Sequence, residues 1–316
     1  MDCKHHDRYE RLRTHVYGKI PVDLILPCCH SPVERSFFFQ ERRFYSNNHF
    51  DAGVFETGLA SICNPRMCPS FEAGRIPIYE IVAGTWRKCP LRCVTCFNHY
   101  EDNRNEPVLS DSEMEAYLIA LGELGAAAIE RNSKLNAPPP YYQVGGSGDV
   151  FYSENYRRML EFDLPAYGIA PIHILTNMQF WTNHNIRRIS AGTRSAVKLI
   201  TFSVDSIQPE LYERIRSGSR WTALVRSYER CRAVFPDADY HISYTISKLN
   251  FHEYKQAPRA LKELFPAVST IYLNVARDWL NRPETADLVI SSREKAEIFE
   301  WCASNPDENG CKIYAR

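Results

Sequence analysis

Three thiols lie within eight residues of one stretch, Lys88-Cys89-Pro90-Leu91-Arg92-Cys93-Val94-Thr95-Cys96-Phe97, in the spacing C-x3-C-x2-C. Soft thiolate ligands select zinc, copper(I) or iron–sulfur clusters. A structural zinc site is closed by four ligands and usually shows paired C-x2-C steps. Three cysteines in a single loop instead suit a four-iron cluster in which one iron has no protein ligand and is open to a small molecule.

This spacing resembles the motif of the radical S-adenosylmethionine (SAM) enzymes. The resemblance implies that Cys89, Cys93 and Cys96 hold a [4Fe-4S] cluster whose fourth iron is chelated by the amino and carboxylate groups of SAM. It further implies that an electron from the cluster cleaves SAM to methionine and a 5′-deoxyadenosyl radical, which abstracts hydrogen from a substrate. The residues by themselves leave zinc binding open as the alternative.

Composition excludes several function classes. The formal net charge of the 316 residues is zero, so we expect no nucleic-acid partner and no anionic membrane surface. No apolar run approaches the roughly 20 residues of a spanning helix, and the first eight residues are too polar for a secretory signal. Eleven cysteines, an odd number, argue against a disulfide framework. We therefore expect a cytoplasmic protein with free or metal-bound thiols.

Residues 1–75 differ in texture from the rest of the chain. They contain a polar, aromatic-rich stretch at 36–55 with little periodicity, preceded by a short predicted strand at 22–26. Such a segment has difficulty burying a hydrophobic core alone, and small segments of this kind are often stabilised by a bound metal. Five cysteines fall in it: Cys3, Cys28, Cys29, Cys63 and Cys68. Burial as small apolar residues is the alternative, which their clustering beside prolines disfavours.

The layout of these cysteines resembles the SPASM or twitch segments that carry an auxiliary cluster in many radical SAM enzymes, here placed before the core. The resemblance implies that Cys28, Cys63 and Cys68 ligate an auxiliary [4Fe-4S] cluster, with Cys3 or Cys29 as the fourth ligand. Zinc in the same site stays open, because four thiolates suit either metal. We accordingly divide the chain into an auxiliary segment, 1–75, and a radical SAM core, 76–316.

From residue 76 onward, strands and helices alternate, which favours an α/β fold with a parallel sheet. The predicted strands are 76–83, 141–144, 172–175, 197–204, 240–246 and 270–275. The predicted helices are 110–132, 152–161, 209–215, 221–234, 252–265 and 293–303, and Ser110 with Glu113 forms a capping box at the start of the first. Six βα units are similar to the family's partial (β/α)6 TIM-type barrel, whose chemistry lies at the carboxyl ends of the strands.

The second predicted strand runs into a glycine-rich turn, Gly145-Gly146-Ser147-Gly148-Asp149-Val150-Phe151. Glycine lets the backbone approach a ligand, and bare amides bind anionic groups, although the stretch alone also fits an ordinary turn. It resembles the family's Gly-Ser-Gly-Asp-Pro-Phe motif, with Val150 in place of proline. The resemblance implies that Gly146, Ser147, Gly148 and Asp149 contact the amino acid part of SAM.

Strand three ends in Thr176-Asn177-Met178, which resembles a Thr-Asn-Gly strand end near the SAM ribose. This resemblance implies cofactor contacts from Thr176 and Asn177. Met178 departs from the family's glycine, and the departure puts close backbone contact in doubt.

Strand four ends in Ser203-Val204-Asp205, followed by Tyr212-Glu213-Arg214-Ile215-Arg216, and both resemble family segments. The resemblance implies that Ser203 and Asp205 hydrogen-bond the ribose or carboxylate of SAM and that Arg216 binds its carboxylate, for which a guanidinium fork is suited. A helix N-cap for Asp205 and an exposed helix position for Arg216 are the alternatives. Asn250, after strand five, lies in a further segment of this kind and is included among the cofactor contacts.

The substrate is not specified by these motifs. Relatives with auxiliary clusters modify ribosomally made peptides or oxidise small molecules, so we expect a peptide or small-molecule substrate and an external electron donor of the flavodoxin or ferredoxin type. We expect the reaction on this substrate to be an oxidation, a cross-link or a rearrangement. The alternative from a different class is a zinc-binding, non-enzymatic interaction protein on a degenerate barrel.

Replacing Cys63 and Cys68 with alanine tests the auxiliary segment. If both ligate a cluster, bound iron should fall from about eight to about four atoms per chain, and residues 20–75 should become protease-sensitive while the core stays intact. Iron analysis after anaerobic reconstitution, with limited proteolysis, measures both effects. Unchanged iron and an unchanged digestion pattern would make the early cysteines ordinary core residues.

Overall fold

The computed structural model describes residues 77–84, 86–96, 106–276 and 283–315. Ahead of them it describes five strands: β1 (Tyr9–Val16), β2 (Ile20–Pro27), β3 (Phe39–Glu41), β4 (Tyr45–Ser46) and β5 (His49–Phe50). No helix in these ranges is both long and apolar enough to cross a membrane. The predicted auxiliary ligands Cys3, Cys28, Cys29, Cys63 and Cys68 lie outside the described residues.

The described strands form a two-stranded sheet of β4 and β5 and an eleven-stranded sheet in the order β12-β13-β11-β10-β9-β8-β7-β6-β2-β1-β3. Each neighbouring pair from β6 to β11, and the pair of β11 with β13, is parallel. The remaining strands are β6 (Glu80–Ala83), β7 (Tyr141–Gly145), β8 (Ile172–Thr176), β9 (Val197–Ser203), β10 (Asp239–Ile246), β11 (Val268–Val275), β12 (Asp307–Glu308) and β13 (Cys311–Ala315).

The parallel strands follow one another in chain order without a reversal. Because crossovers between parallel strands are right-handed, this order puts the connecting helices on one face of the sheet, as in a barrel. A doubly wound sheet would instead reverse its order at a switch point. The sheet is open, since its order ends at β12 and at β3. The predicted α/β class and all six predicted core strands are confirmed, although the first begins at Glu80 rather than at residue 76.

The first long helix begins at its predicted capping residues. Ser110 and Glu113 form the predicted capping box, with the Ser110 amide 2.8 Å from the Glu113 carboxylate. The α-helices in the described residues are α1 (Asp111–Lys134), α2 (Glu154–Glu161), α3 (Asn183–Arg188), α4 (Ala191–Ala196), α5 (Pro209–Ile215), α6 (Trp221–Val234), α7 (Ala257–Leu264), α8 (Pro283–Ala286) and α9 (Ser292–Ser304).

The helix predicted at 252–265 is wrong as a single element. The chain forms a 3-10 turn at Phe251–Glu253 and then begins α7 at Ala257. Pro258 lies in the first turn of α7, where its missing N–H costs nothing, whereas one turn further into a helix it would remove a hydrogen bond and clash with the preceding turn. The proline therefore marks a helix start.

The N-terminal strands extend the core sheet. β2 contains the predicted strand at 22–26 and pairs antiparallel with β6, placing Leu24 opposite Ile81. β1 pairs antiparallel with β2 along its whole length, and β3 pairs parallel with β1. The sheet therefore continues across the predicted division at residue 75.

The two faces of the sheet differ in polarity. On β10 the side chains of Tyr240, Ile242 and Tyr244 are buried, whereas those of His241 and Ser243 are half-buried. The first set faces the helices, because Tyr240 packs edge-on against Tyr228 of α6. The second set faces away from them. We call this helix-free side the inner face, and its polar character distinguishes it from the apolar layer under the helices.

Replacing Phe202 with alanine should destabilise the apo protein by about 3–5 kcal/mol, the usual cost of removing a buried phenyl ring. Phe202 is fully buried and packs against Tyr228 and Phe265. Phe299→Ala on α9 is the matched control, because its ring is 38% exposed and its loss should cost at most about 0.5 kcal/mol. Urea denaturation of both variants measures the difference, and equal midpoints would contradict the assignment of Phe202 to the core.

Candidate functional site

The cysteine loop follows β6 and is held by backbone hydrogen bonds from two sides. The Asp149 amide donates to the Lys88 carbonyl at 3.0 Å. On the other side, the amides of Arg92 and Val94 donate to the carbonyls of Ser217 and Ile215 at 2.8 and 3.0 Å. These bonds fix a segment that has no helix or strand of its own.

A half-buried acidic side chain completes this anchoring. Glu106 accepts a hydrogen bond from the Lys88 amide at 3.1 Å and another from the Ser153 hydroxyl at 2.7 Å. It thereby ties the start of the cysteine loop to the segment that leads into α2. Sequence reasoning missed Glu106, which stands in a connection without periodicity and gives no local signal of this role.

The thiols lie in a water-poor environment. Burial raises the pKa of Cys89 to about 11, with a backbone hydrogen bond from Leu91 opposing it. Burial also raises the pKa of Cys93 to about 12, and there the guanidinium of Arg216 opposes it. Both thiols are therefore protonated at neutral pH, and neither presents a free thiolate nucleophile.

The cysteine loop offers three soft thiol donors. In the part of the chain that the structure describes, no three His, Cys, Asp or Glu side chains converge so as to hold one metal ion. Cysteine ligands of a four-iron cluster bind different irons and so need not converge on one point. Three soft thiols, spread along one anchored loop, match the latter requirement.

The glycine-rich turn packs directly on the cysteine loop. A Cβ atom at Gly148 would lie 2.4 Å from the Lys88 carbonyl oxygen and 2.7 Å from the Trp86 carbonyl oxygen, both in the backbone. Gly146 has a φ of +101°, which side-chain-bearing residues rarely adopt. Ser147 is half-buried between them. Glycine is thus required at 146 by conformation and at 148 by contact.

Asp149 is a structural carboxylate in this arrangement. Its side chain is 1% exposed and accepts hydrogen bonds from the Phe151 amide, the Thr176 hydroxyl and the Asn177 amide at 3.1, 2.9 and 3.2 Å. Burial raises the pKa of Asp149, and these three donors oppose the rise. The carboxylate joins the ends of β7 and β8, and its direct contact with a cofactor stays a prediction.

Asn177 contacts the first cysteine of the loop. Its side-chain amide donates to the Cys89 sulfur at 3.6 Å, and its side-chain oxygen accepts from the Gln179 amide at 2.9 Å. Met178 has a φ of +63°, in the left-handed region that favours glycine. Thr176 holds this turn by accepting a hydrogen bond from the Met178 amide at 3.1 Å.

Asp205 and Arg216 form a buried ion pair at the end of β9. Arg216 Nη1 donates to Asp205 Oδ2 at 2.7 Å, and the two residues are 8% and 1% exposed. The other carboxylate oxygen accepts from the Thr245 amide at 2.8 Å. Both alternative roles are wrong: the residue at the N-cap of α5 is Gln208, and Arg216 is not on the surface.

Asn250 binds the backbone at the ends of β9 and β10. Its amide nitrogen donates to the carbonyls of Asp205 and Thr245 at 2.6 and 2.8 Å, and its oxygen accepts from the Ser247 amide at 2.7 Å. The side chain is fully buried, so the structure gives it a positioning role. Ser203, in contrast, is half-buried on the inner face beside Ser243 of β10.

A comparison with protein-family models found no match, and a comparison with curated proteins found none either. Solved structures do show similarity. SuiB of Streptococcus suis bound to S-adenosylmethionine is 13% identical with a TM-score of 0.48, covering 86% of this chain and 57% of SuiB. With its precursor peptide SuiA bound, the coverage of SuiB is 49%, so the chain spans about half the length of SuiB.

Two other structures show comparable similarity. A radical SAM methyltransferase from Sphaerobacter thermophilus is 13% identical with a TM-score of 0.49, covering 78% of this chain and 67% of the methyltransferase. TYW1 with a lysine–pyruvate adduct is 15% identical with a TM-score of 0.46, covering 80% of this chain and 82% of TYW1.

Gly148→Ala should loosen the cysteine loop, because the new methyl group meets backbone atoms that cannot turn away. We expect a loss of about 1–3 kcal/mol in stability and faster hydrogen exchange of residues 88–94. Gly168→Ala is the control for a strained glycine replacement outside the loop, since Gly168 has a φ of +75° but a Cβ there meets nothing within 4 Å; it should lose stability without faster exchange of residues 88–94. Hydrogen exchange read by mass spectrometry separates the two variants. Equal exchange of the loop in both would show that the contact at 148 does not hold it.

Proposed function

We propose that this chain is a radical SAM enzyme. The observation that carries the proposal is the anchored loop of three thiols at the carboxyl edge of a parallel, singly wound sheet, with a glycine-rich turn on one side and a buried arginine on the other. Barrel enzymes place their chemistry at this edge because the loops there converge.

Cys89, Cys93 and Cys96 would hold a [4Fe-4S] cluster. The residues present fit it, since they offer three soft donors, and the buried Nε of Arg216 has no hydrogen-bond partner among the described residues. Such a cluster, when bound, supplies the single electron that cleaves SAM. The chain's own contribution would be to bury Cys93 and to donate a hydrogen bond from the Asn177 amide to Cys89.

The remaining site residues divide into two groups in this proposal. Gly146, Ser147 and Gly148 would offer backbone atoms to the amino acid part of SAM, while Asn177, Ser203 and Arg216 would bind its polar groups. Asp149, Thr176, Asp205 and Asn250 would act by holding these residues in place, because their hydrogen-bonding groups already bind other parts of the chain.

The substrate would be a peptide or a polar small molecule that lies over the inner face. Half-buried hydroxyl and amide groups on β10 and β11 support a polar substrate. The Asn274 amide donates to the Ser243 hydroxyl at 2.8 Å, and both side chains lie on the inner face. An external flavodoxin or ferredoxin would supply the electron, and a reducing cytoplasm would preserve the cluster. With zero net charge, nucleic acid is not proposed as a partner.

We further propose that residues 1–75 form an auxiliary unit, with Cys28, Cys63, Cys68 and either Cys3 or Cys29 around a second [4Fe-4S] cluster. This unit would accept an electron from the substrate or bind the substrate directly. The core would then comprise residues 76–316. The support for this part is the cysteine pattern of the sequence.

Replacing Cys89, Cys93 and Cys96 together with alanine should remove about four irons per chain and abolish formation of 5′-deoxyadenosine under dithionite. Cys302→Ala is the control, because this buried thiol lies on α9 away from the loop; it should keep its iron and its activity. Iron analysis and chromatography of SAM products give the readouts.

A triple variant that still cleaves SAM at the rate of the unchanged chain would refute the proposal. So would an unchanged chain that stays colourless after anaerobic reconstitution and binds zinc instead. That second result would favour the zinc-binding interaction protein.

A further inference from the structure

Arg216 is a buried cation whose bonding is incomplete among the described residues. One of its terminal nitrogens binds Asp205 at 2.7 Å, but its buried Nε has no hydrogen-bond partner. A buried donor without an acceptor is unfavourable and usually indicates a partner that is bound in the working state. The ion pair with Asp205 therefore uses only part of the hydrogen-bonding capacity of this guanidinium.

The position of Arg216 relative to the cysteine loop is fixed by the backbone. The Arg92 amide binds the Ser217 carbonyl, and the Val94 amide binds the Ile215 carbonyl. These two bonds flank Cys93 on one segment and Arg216 on the other, and the segments run in opposite directions. Cys93 and Arg216 consequently lie opposite each other.

We propose that Arg216 sets the reduction potential of the metal centre on the cysteine loop, by placing a fixed positive charge on the residue opposite Cys93. The inference rests on the proposed function. Reduction adds one negative charge to the centre, and a nearby cation stabilises the more negative state. Arg216 therefore raises the potential and eases electron entry.

The experiment measures the potential of the anaerobically reconstituted full-length chain without SAM, by electron paramagnetic resonance during a redox titration. Arg216→Gln with Asp205→Asn removes both buried charges together, so that neither is left unpaired. We expect the equilibrium constant for reduction to fall at least tenfold, which is a shift of about 59 mV to more negative potential for one electron. The reduction potential of Arg216→Lys, which keeps the charge, should lie between the potentials of the double variant and of the unchanged chain.

Arg214→Gln is the matched control, because Arg214 is exposed on the same helix, α5; its potential should not move. A charge-free variant with full iron and an unshifted potential would overturn the inference. A variant that keeps the fold by circular dichroism but binds no iron would also overturn it, since Arg216 would then be a structural requirement. Failure of the unchanged chain to bind iron at all would instead refute the proposed function.

Discussion

The close approach of the turn at Gly146–Gly148 to the cysteine loop is the constraint on which the site depends. Loop residues 88–94 have no regular secondary structure, so their backbone groups need partners from elsewhere. The Asp149 amide supplies one on the Lys88 carbonyl, and the carbonyls of Ser217 and Ile215 supply two more. The first of these bonds requires Gly148 to have no side chain, because a Cβ would lie inside the contact distance of the Lys88 oxygen. The absence of a side chain at one residue thus helps to fix the position of the cysteine loop.

Several features of this design follow from the sequence because they rest on local rules. The strands β7 to β11 are buried runs bounded by turns, and the capping box at Ser110 is a short-range pattern. The hairpin of β12 and β13 was missed although its turn, Asn309-Gly310, has positive φ at both residues. Asn-Gly between two extended segments favours that geometry, so the signal was present. The six-residue helices α3 and α4 are too short to show a helical period.

The roles of the polar strand-end residues were harder to predict, because a sequence does not show which hydrogen bonds are already satisfied. Asp149 and Asn250 stand in motifs that resemble cofactor contacts, yet each binds several groups of the chain itself. Glu253 is a similar case: it is 1% exposed and accepts from Tyr244, Ser206 and Gln208. Buried carboxylates of this kind are stable only with such partners. They fix the loops so that a few other groups are correctly placed.

The polar groups of the inner face also fall into two sets, one satisfied by the protein itself and one half-buried, which lie at different heights along the strands. Near the amino ends of the strands, the His173 imidazole joins the Glu80 carboxylate on one side and the Thr201 hydroxyl, at 2.8 Å, on the other. These two hydrogen bonds link β6, β8 and β9 and use both ring nitrogens of His173. Nearer the carboxyl ends the inner face carries half-buried Ser203, Ser243 and Asn274. Polar groups closed on one another stabilise the scaffold, whereas half-buried ones exchange water for a ligand at lower cost. The capacity to bind is therefore concentrated at the edge where the cysteine loop lies.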